Sequence, residues 1–266
     1  MLFTARTARN DDRLTLIAVS ALACMLQDVL HEGLGHGVTA WFSGTHRITM
    51  STVALQSDIE TRWVSANGTL VNILLGVILW LLLRRPQRYG PVTRYFLVIA
   101  MAGNLFTGTG YFLFSGVTNF GDWAAVIRDL HPHWLWQVGL VVLGVASYYA
   151  SMLVVASELR PFQGTQPPWP ALRGLCWTPY VTDATLMTLA ALLSPFGIFY
   201  VFASALPATL GANAGLLSLP SLMYKPPSDH PEQVGPIGRS KVWIAIAVIA
   251  SLFFVIVLGR GVTFTR

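Results

Sequence analysis

Charge is what this sequence has least of. Asp, Glu, Lys and Arg together make up 11% of its 266 residues, less than half of the roughly 25% usual in a soluble domain. Hydrophobic residues reach 54%, and the mean hydropathy is +0.57. This balance excludes an ordinary water-soluble globular protein. Cysteine is scarce as well: only Cys24 and Cys176 occur, each in or beside an apolar run. Two such residues build no disulfide framework and argue against a thiolate zinc site. Internal repeats, low-complexity tracts and the two-residue alternation of a membrane β-barrel are also missing. The net charge of +5 does not point to nucleic acid. The basic residues sit in short clusters beside apolar runs, where they act as topology signals.

What is present is long, continuous apolar sequence. Six stretches read as membrane spans, at about 14–42, 63–83, 95–117, 134–158, 181–206 and 242–258. The expected fold class is therefore all-α: a polytopic helical membrane protein forming one transmembrane domain. As a helix the first stretch would be about 40 Å long, against a hydrocarbon core of about 30 Å. It must tilt, bend or emerge into a sheltered cavity, and Gly33, Gly35 and Gly37 place the bend in its second half.

The connections carry their own signals. Residues 46–55 have β-branched residues and partial alternation, which fits a short strand or hairpin as well as a plain surface loop. A sheet edge there could hold an extended peptide. Residues 160–178 read as a Pro-rich interfacial loop containing Trp169 and Trp177, and 207–224 as a re-entrant or interfacial segment. Ser194-Pro195 interrupts the fifth stretch, and 225–241 reads as a polar loop.

Six spans would put both termini on one side. That side then holds eleven Lys and Arg residues, among them Arg6, Arg9, Arg13, Arg84, Arg85, Arg88 and Arg94, against six on the other. The termini are thus expected in the cytoplasm. A short, loop-poor chain suits a bacterial inner membrane. Ala21-Leu22-Ala23 resembles a signal-peptidase site, but cleavage there would remove most of the apolar half of the first span, so an uncleaved N-terminus is expected.

Residues 27–36 stand out. Asp28, His31, Glu32 and His36 place four ionisable side chains in ten residues of an apolar span. Intramembrane charge is costly and marks a functional site by default. His-Glu followed by His suggests a zinc-hydrolase helix, but that motif sets its histidines at i and i+4. Here they stand at i and i+5. On a regular helix they would be about 140° apart. Asp28, Glu32 and His36 would then share one face, able to bind a metal, relay protons or pair internally. A turn widened by one residue, sterically easy at Gly33 and Gly35, would instead bring His31 and His36 together with Glu32 as base.

Residues 31–44 resemble the first motif of the site-2-protease family of intramembrane zinc metalloproteases. Residues 66–76, containing Gly68 and Asn72, are similar to that family's Gly-x-x-x-Asn segment. Residues 119–125 are similar to its later Asp-containing motif. The resemblance spans about residues 15–130. It departs from the family in the extra residue of the first motif and in the surroundings of Asp122, which lack Leu-Asp-Gly. It implies His31, His36 and Asp122 as ligands of Zn2+, Glu32 as general base, and hydrolysis of a peptide or membrane-protein substrate within or beside the lipid bilayer. It also implies a strand after the first span that receives substrate. Asp28 reads as a hydrogen-bond partner that orients a ligating histidine, or as a structural acceptor. Asn72 reads as interhelical glue or as a group polarising a scissile carbonyl. Asp122 also fits a helix N-cap. His46, His131, His133 and His230 carry no ligand signal. Two other functions fit the same residues: a non-proteolytic scaffold or regulatory relative with a degenerate site, and a transporter or proton relay using Asp28, Glu32 and His36.

Overall fold

A computed structural model describes residues 10–85, 88–163, 169–223 and 233–266. The topology signals Arg6, Arg9 and Lys225, and His230, lie outside the described residues.

Helix α1, Arg13–Phe42, begins where Asp12 accepts a hydrogen bond from Thr15 N at 2.9 Å, satisfying one of the orphan donors of the first turn. It leads into an antiparallel hairpin of β1, Arg47–Met50, and β2, Leu55–Ser57. Helix α2, Arg62–Leu83, is capped by Thr61, and α3, Pro91–Thr118, starts with Pro91 in its first turn. Asn119, in the left-handed conformation, ends α3. Short helix α4, Asp122–Ile127, follows Gly121, whose φ of +84° suits glycine. Then come α5, His133–Phe162, and α6, Trp169–Ala191. They are followed by α7, Val201–Met223, and α8, Lys241–Leu258. Strand β3, Val262–Thr265, returns to pair with β1, so the sheet order is β2-β1-β3.

Six of these helices are long and apolar enough to cross a membrane: α1, α2, α3, α5, α7 and α8. This arrangement is compatible with an integral membrane protein. Helix α3 is the central one. It packs on α1, α2 and α5, and Tyr95, Val98, Met101 and Phe106 along it are fully buried. Helices α5 and α8 turn large apolar side chains such as Val142, Leu143, Val248 and Ile249 outward, as lipid-facing helices do.

The fifth apolar stretch does not form one helix over 181–206. Helix α6 stops at Ala191, the chain turns, and α7 starts at Val201. Pro195, which lacks a backbone donor, and Gly197, with φ +88°, occupy that turn. Residues 169–178, expected in an interfacial loop, are the first part of α6. Residues 207–223, expected as a re-entrant segment, are the larger part of α7.

Helix α6 also runs the length of the bundle. Near its start the Leu175 carbonyl accepts from Tyr95 Oη at 2.7 Å, beside the beginning of α3. At its end Ala191 packs with Val53 and Val201 beside the sheet. Seven helices therefore pass from end to end among the described residues. An odd number separates the chain's two ends. Asp12 N donates to Ile237 O at one end, and Arg266 N donates to His46 O at the other. The expectation of both termini on one side is corrected accordingly. The polarity of the first part of α6, with Trp169, Arg173 and Trp177 in a Pro-rich stretch, had assigned that part to an interfacial loop and left its second part merged with the start of α7. The inward face of α6, with Leu172, Leu175, Cys176, Leu186, Met187 and Ala190, is buried all the same.

Candidate metal centre

The sequence 27–36 folds through a local irregularity. Residues Leu30–Gly37 form a π-helical turn within α1, ending where Val38 N donates to Gly33 O, five residues back. A π-turn takes up one extra residue per turn. His31 and His36 therefore stack one above the other instead of facing apart. Their rings meet edge to face, with centroids 4.7 Å apart and planes at 84°.

Helix α2 makes room for this turn. A Cβ on Gly35 would lie 2.5 Å from Gly68 Cα, and a Cβ on Gly68 would lie 2.8 Å from His31 Cε1. Only glycine at both positions allows so close an approach of α1 and α2.

Asp122 completes the group. His31 Nε2 and His36 Nε2 are 3.1 Å apart, and Asp122 Oδ2 lies 3.4 Å from the first and 3.5 Å from the second. Nitrogen and oxygen ligands at about 2.0–2.1 Å from a tetrahedral metal stand about 3.3 Å from one another. The observed triangle has those dimensions. A point about 0.7 Å outside its plane is about 2 Å from all three atoms, as such a metal requires. His31, His36 and Asp122 can together hold a metal ion.

Hydrogen bonds on the far side of each ring support the same conclusion. His31 Nδ1 lies 2.5 Å from Asn72 Oδ1, and His36 Nδ1 lies 2.6 Å from Val64 O. Carbonyl oxygens only accept, so each Nδ1 carries the proton and each Nε2 turns a lone pair toward Asp122. The Asn72 amide is itself oriented: its Nδ2 donates to Asn104 Oδ1 at 2.8 Å and to Gln27 O at 3.3 Å. Asn104 Nδ2 in turn donates to Ala100 O at 2.8 Å. Three acceptor atoms thus face one another in a buried site. Such an arrangement is repulsive unless a cation or shared protons lie between them. Asp122 Oδ2 has no hydrogen-bond partner, which fits a ligand. Asp122 is the first residue of α4, not its cap, and its side chain makes no capping bond.

Glu32 is 6% exposed, and its Oε2 has no hydrogen-bond partner. It lines a cavity of about 700 Å³ together with His36, Asp122, Tyr111, Leu55 and Ser204. The cavity lies between α3, α4, the first half of α7 and the hairpin. Exposed Glu60, Phe120 and Arg128 rim it at the sheet end of the bundle. Tyr111 also stacks on the His31 ring, with centroids 5.2 Å apart and planes at 25°.

Asp28 is buried one turn before His31, but the hydrogen bonds that orient the histidines come from Asn72 and Val64. His133 bonds Asn119 Oδ1 at 3.0 Å, outside the triad. Asn104 and Tyr111 are the site residues that sequence reading did not single out. An amide in the middle of an apolar span was the available signal for Asn104. Tyr111 had none, because a tyrosine in such a span is ordinary. No protein-family model, curated protein or solved structure matches this chain.

Proposed function

We propose that this chain is a zinc-dependent peptidase acting at one end of a membrane-embedded helical bundle. The observation that carries the reading is the convergence of two oriented imidazoles and one carboxylate beside a buried glutamate whose Oε2 has no hydrogen-bond partner, with Glu32, His36 and Asp122 lining one cavity. Two nitrogen donors and one oxygen donor suit zinc better than magnesium or calcium, which prefer oxygen-only shells. Three protein ligands leave a fourth position open, the pattern of catalytic rather than structural zinc sites. Zinc held by His31, His36 and Asp122 would supply Lewis acidity, making water acidic near neutral pH and polarising a carbonyl.

The remaining roles belong to the chain. Glu32 takes the proton from the attacking water and delivers it to the leaving nitrogen as the C–N bond breaks. One water is consumed, giving a carboxylate and an amine. Asn72 and the Val64 carbonyl hold the imidazoles in the ligating tautomer. In the order β2-β1-β3 the outer edge of β2 pairs with no strand among the described residues, and Val53, Ala54, Leu55 and Ser57 line the cavity. An extended peptide can add to that edge by main-chain hydrogen bonds, its side chains alternating into and out of the cavity.

A proton relay on Asp28, Glu32 and His36 needs a regular helix. The π-turn instead places His36 over His31, which favours the metal site over the relay. The deciding measurement is metal content followed by activity. Purified protein should carry about one zinc per chain. Glu32→Gln should keep the zinc and abolish cleavage of a fluorogenic peptide library. A chain without zinc after reconstitution would overturn the reading, as would undiminished cleavage by Glu32→Gln.

A further inference from the structure

From the path of the chain and the placement of its cations, we infer that the metal centre faces the non-cytoplasmic side of the membrane, with the C-terminus on that same side. For the substrate, this rests on the peptidase reading above: the cleaved segment is then a membrane-protein segment flanking a span at its outer end.

The argument begins with the seven end-to-end helices. At the end where α1 begins lie Arg13, the cluster Arg84, Arg85, Arg88 and Arg94, then Arg160, Arg173, Arg239 and Lys241. At the sheet end lie Arg47, Arg62, Arg128, Arg260 and Arg266. Among the described residues the balance is nine against five. Lys and Arg close to span ends are retained in the cytoplasm, and one short loop with several of them dominates. Four of the nine crowd into the single connection between α2 and α3.

The seventh helix leaves the balance among the described residues at nine against five. With six crossings, Arg260 and Arg266 would sit among the cytoplasmic residues and Arg239 and Lys241 opposite them. With α6 crossing, the two pairs exchange sides, while the four-Arg connection between α2 and α3 keeps its side. Pairing of β3 with β1 fixes Arg260 and Arg266 at the sheet end. Arg239 and Lys241 stay at the other end, where Ser240 N donates to Thr15 Oγ1 at 3.0 Å.

The metal centre belongs to the sheet end. His31 and His36 lie about 27–35 Å along α1 from Arg13, close to the far side of a hydrocarbon core about 30 Å thick. The aromatic residues at this level, Trp41, Trp63 and Phe199, are exposed, and Trp41 lies under the Arg266 guanidinium at 5.4 Å. Such aromatic side chains mark the interface between lipid and water. The rim of the cavity therefore lies at the outer interface, where the juxtamembrane segment of a neighbouring membrane protein can reach β2.

Cysteine labelling of the full chain in intact cells tests the placement without relying on activity. Native Cys24 and Cys176 are buried. Exposed reporter positions are Ser43 and Thr265 at the sheet end and Gly90 at the other; a side chain at Gly90 meets no neighbour within 4 Å. With a membrane-impermeant maleimide, Ser43→Cys and Thr265→Cys should label in intact cells. Gly90→Cys should label only after permeabilisation. Labelling of Gly90→Cys in intact cells, or of Thr265→Cys only after permeabilisation, overturns the inference. A membrane-anchored reporter with a susceptible segment outside should be cut, and the same segment on the cytoplasmic side should survive. Cutting of the cytoplasmic reporter alone also overturns it. If neither reporter is cut while the labelling is as expected, the peptidase reading falls and the placement stands.

Discussion

At the scale of single residues, the site depends on groups that hold the ligands as much as on the ligands. Asn72 keeps His31 in one tautomer, and Asn104 keeps Asn72 in one orientation. Asn72→Ala removes the acceptor for a buried N–H and frees the ring. Metal affinity should fall about 10–100-fold, read by competition with a chromophoric chelator. Asn104→Ala should weaken binding in the same direction and by less. Gly68→Ala should act through sterics, since its methyl would meet His31. It should lose the metal while circular dichroism shows the helices intact. His31, Glu32, His36 and Asn72 were legible in the sequence because a polar side chain in an apolar span is conspicuous, whereas Asp122, in a connection between expected spans, was legible only through the motif that residues 119–125 resemble. Which nitrogen of each imidazole faces the site was not legible, since Val64 contributes a backbone carbonyl that no sequence pattern marks.

At the scale of elements, the π-turn in α1 makes a ligand set from histidines five apart. Removing one residue from a π-turn restores an α-turn. Leu34 lies within the turn and is 45% exposed. Its deletion gives i, i+4 spacing on a regular helix and should retain about one metal per chain, whereas insertion of an alanine at the same point should lose it. Metal analysis of the two purified variants distinguishes them. Helix α6 shows the opposite relation between sequence and structure. Trp169, Arg173 and Trp177 made its first part read as an interfacial loop, and Asp183 is a charge inside a span that needs a partner. In the fold Asn213 Nδ2 donates to Asp183 Oδ2 at 2.6 Å, and the Cys24 thiol bonds the other oxygen. Asn213→Ala should cost about 1–2 kcal/mol of stability, measured by denaturant unfolding in detergent.

At the scale of the whole molecule, the start of α1 and the C-terminal strand are tied to opposite ends of the bundle, and that strand buttresses the sheet whose other edge borders the cavity. A chain truncated after Gly259 loses β3 and leaves β1 with an open edge. Metal binding should be unchanged, since His31, His36 and Asp122 all lie outside β3, but the hairpin should become more sensitive to added protease in detergent, read as faster appearance of fragments cut between residues 44 and 60. The sequence by itself determined the helical class, most of the crossings and the polar cluster of the first span, Asp28, His31, Glu32 and His36. Hydropathy and the cost of intramembrane charge are local quantities that add along a chain. Tertiary structure alone decided the crossing of α6, the turn at Pro195 and Gly197, the return of β3 to β1, and the meeting of Asp122 with the two histidines. Each of these depends on a partner distant in sequence that satisfies a polar group or fills a gap, and average hydropathy carries no record of such pairings.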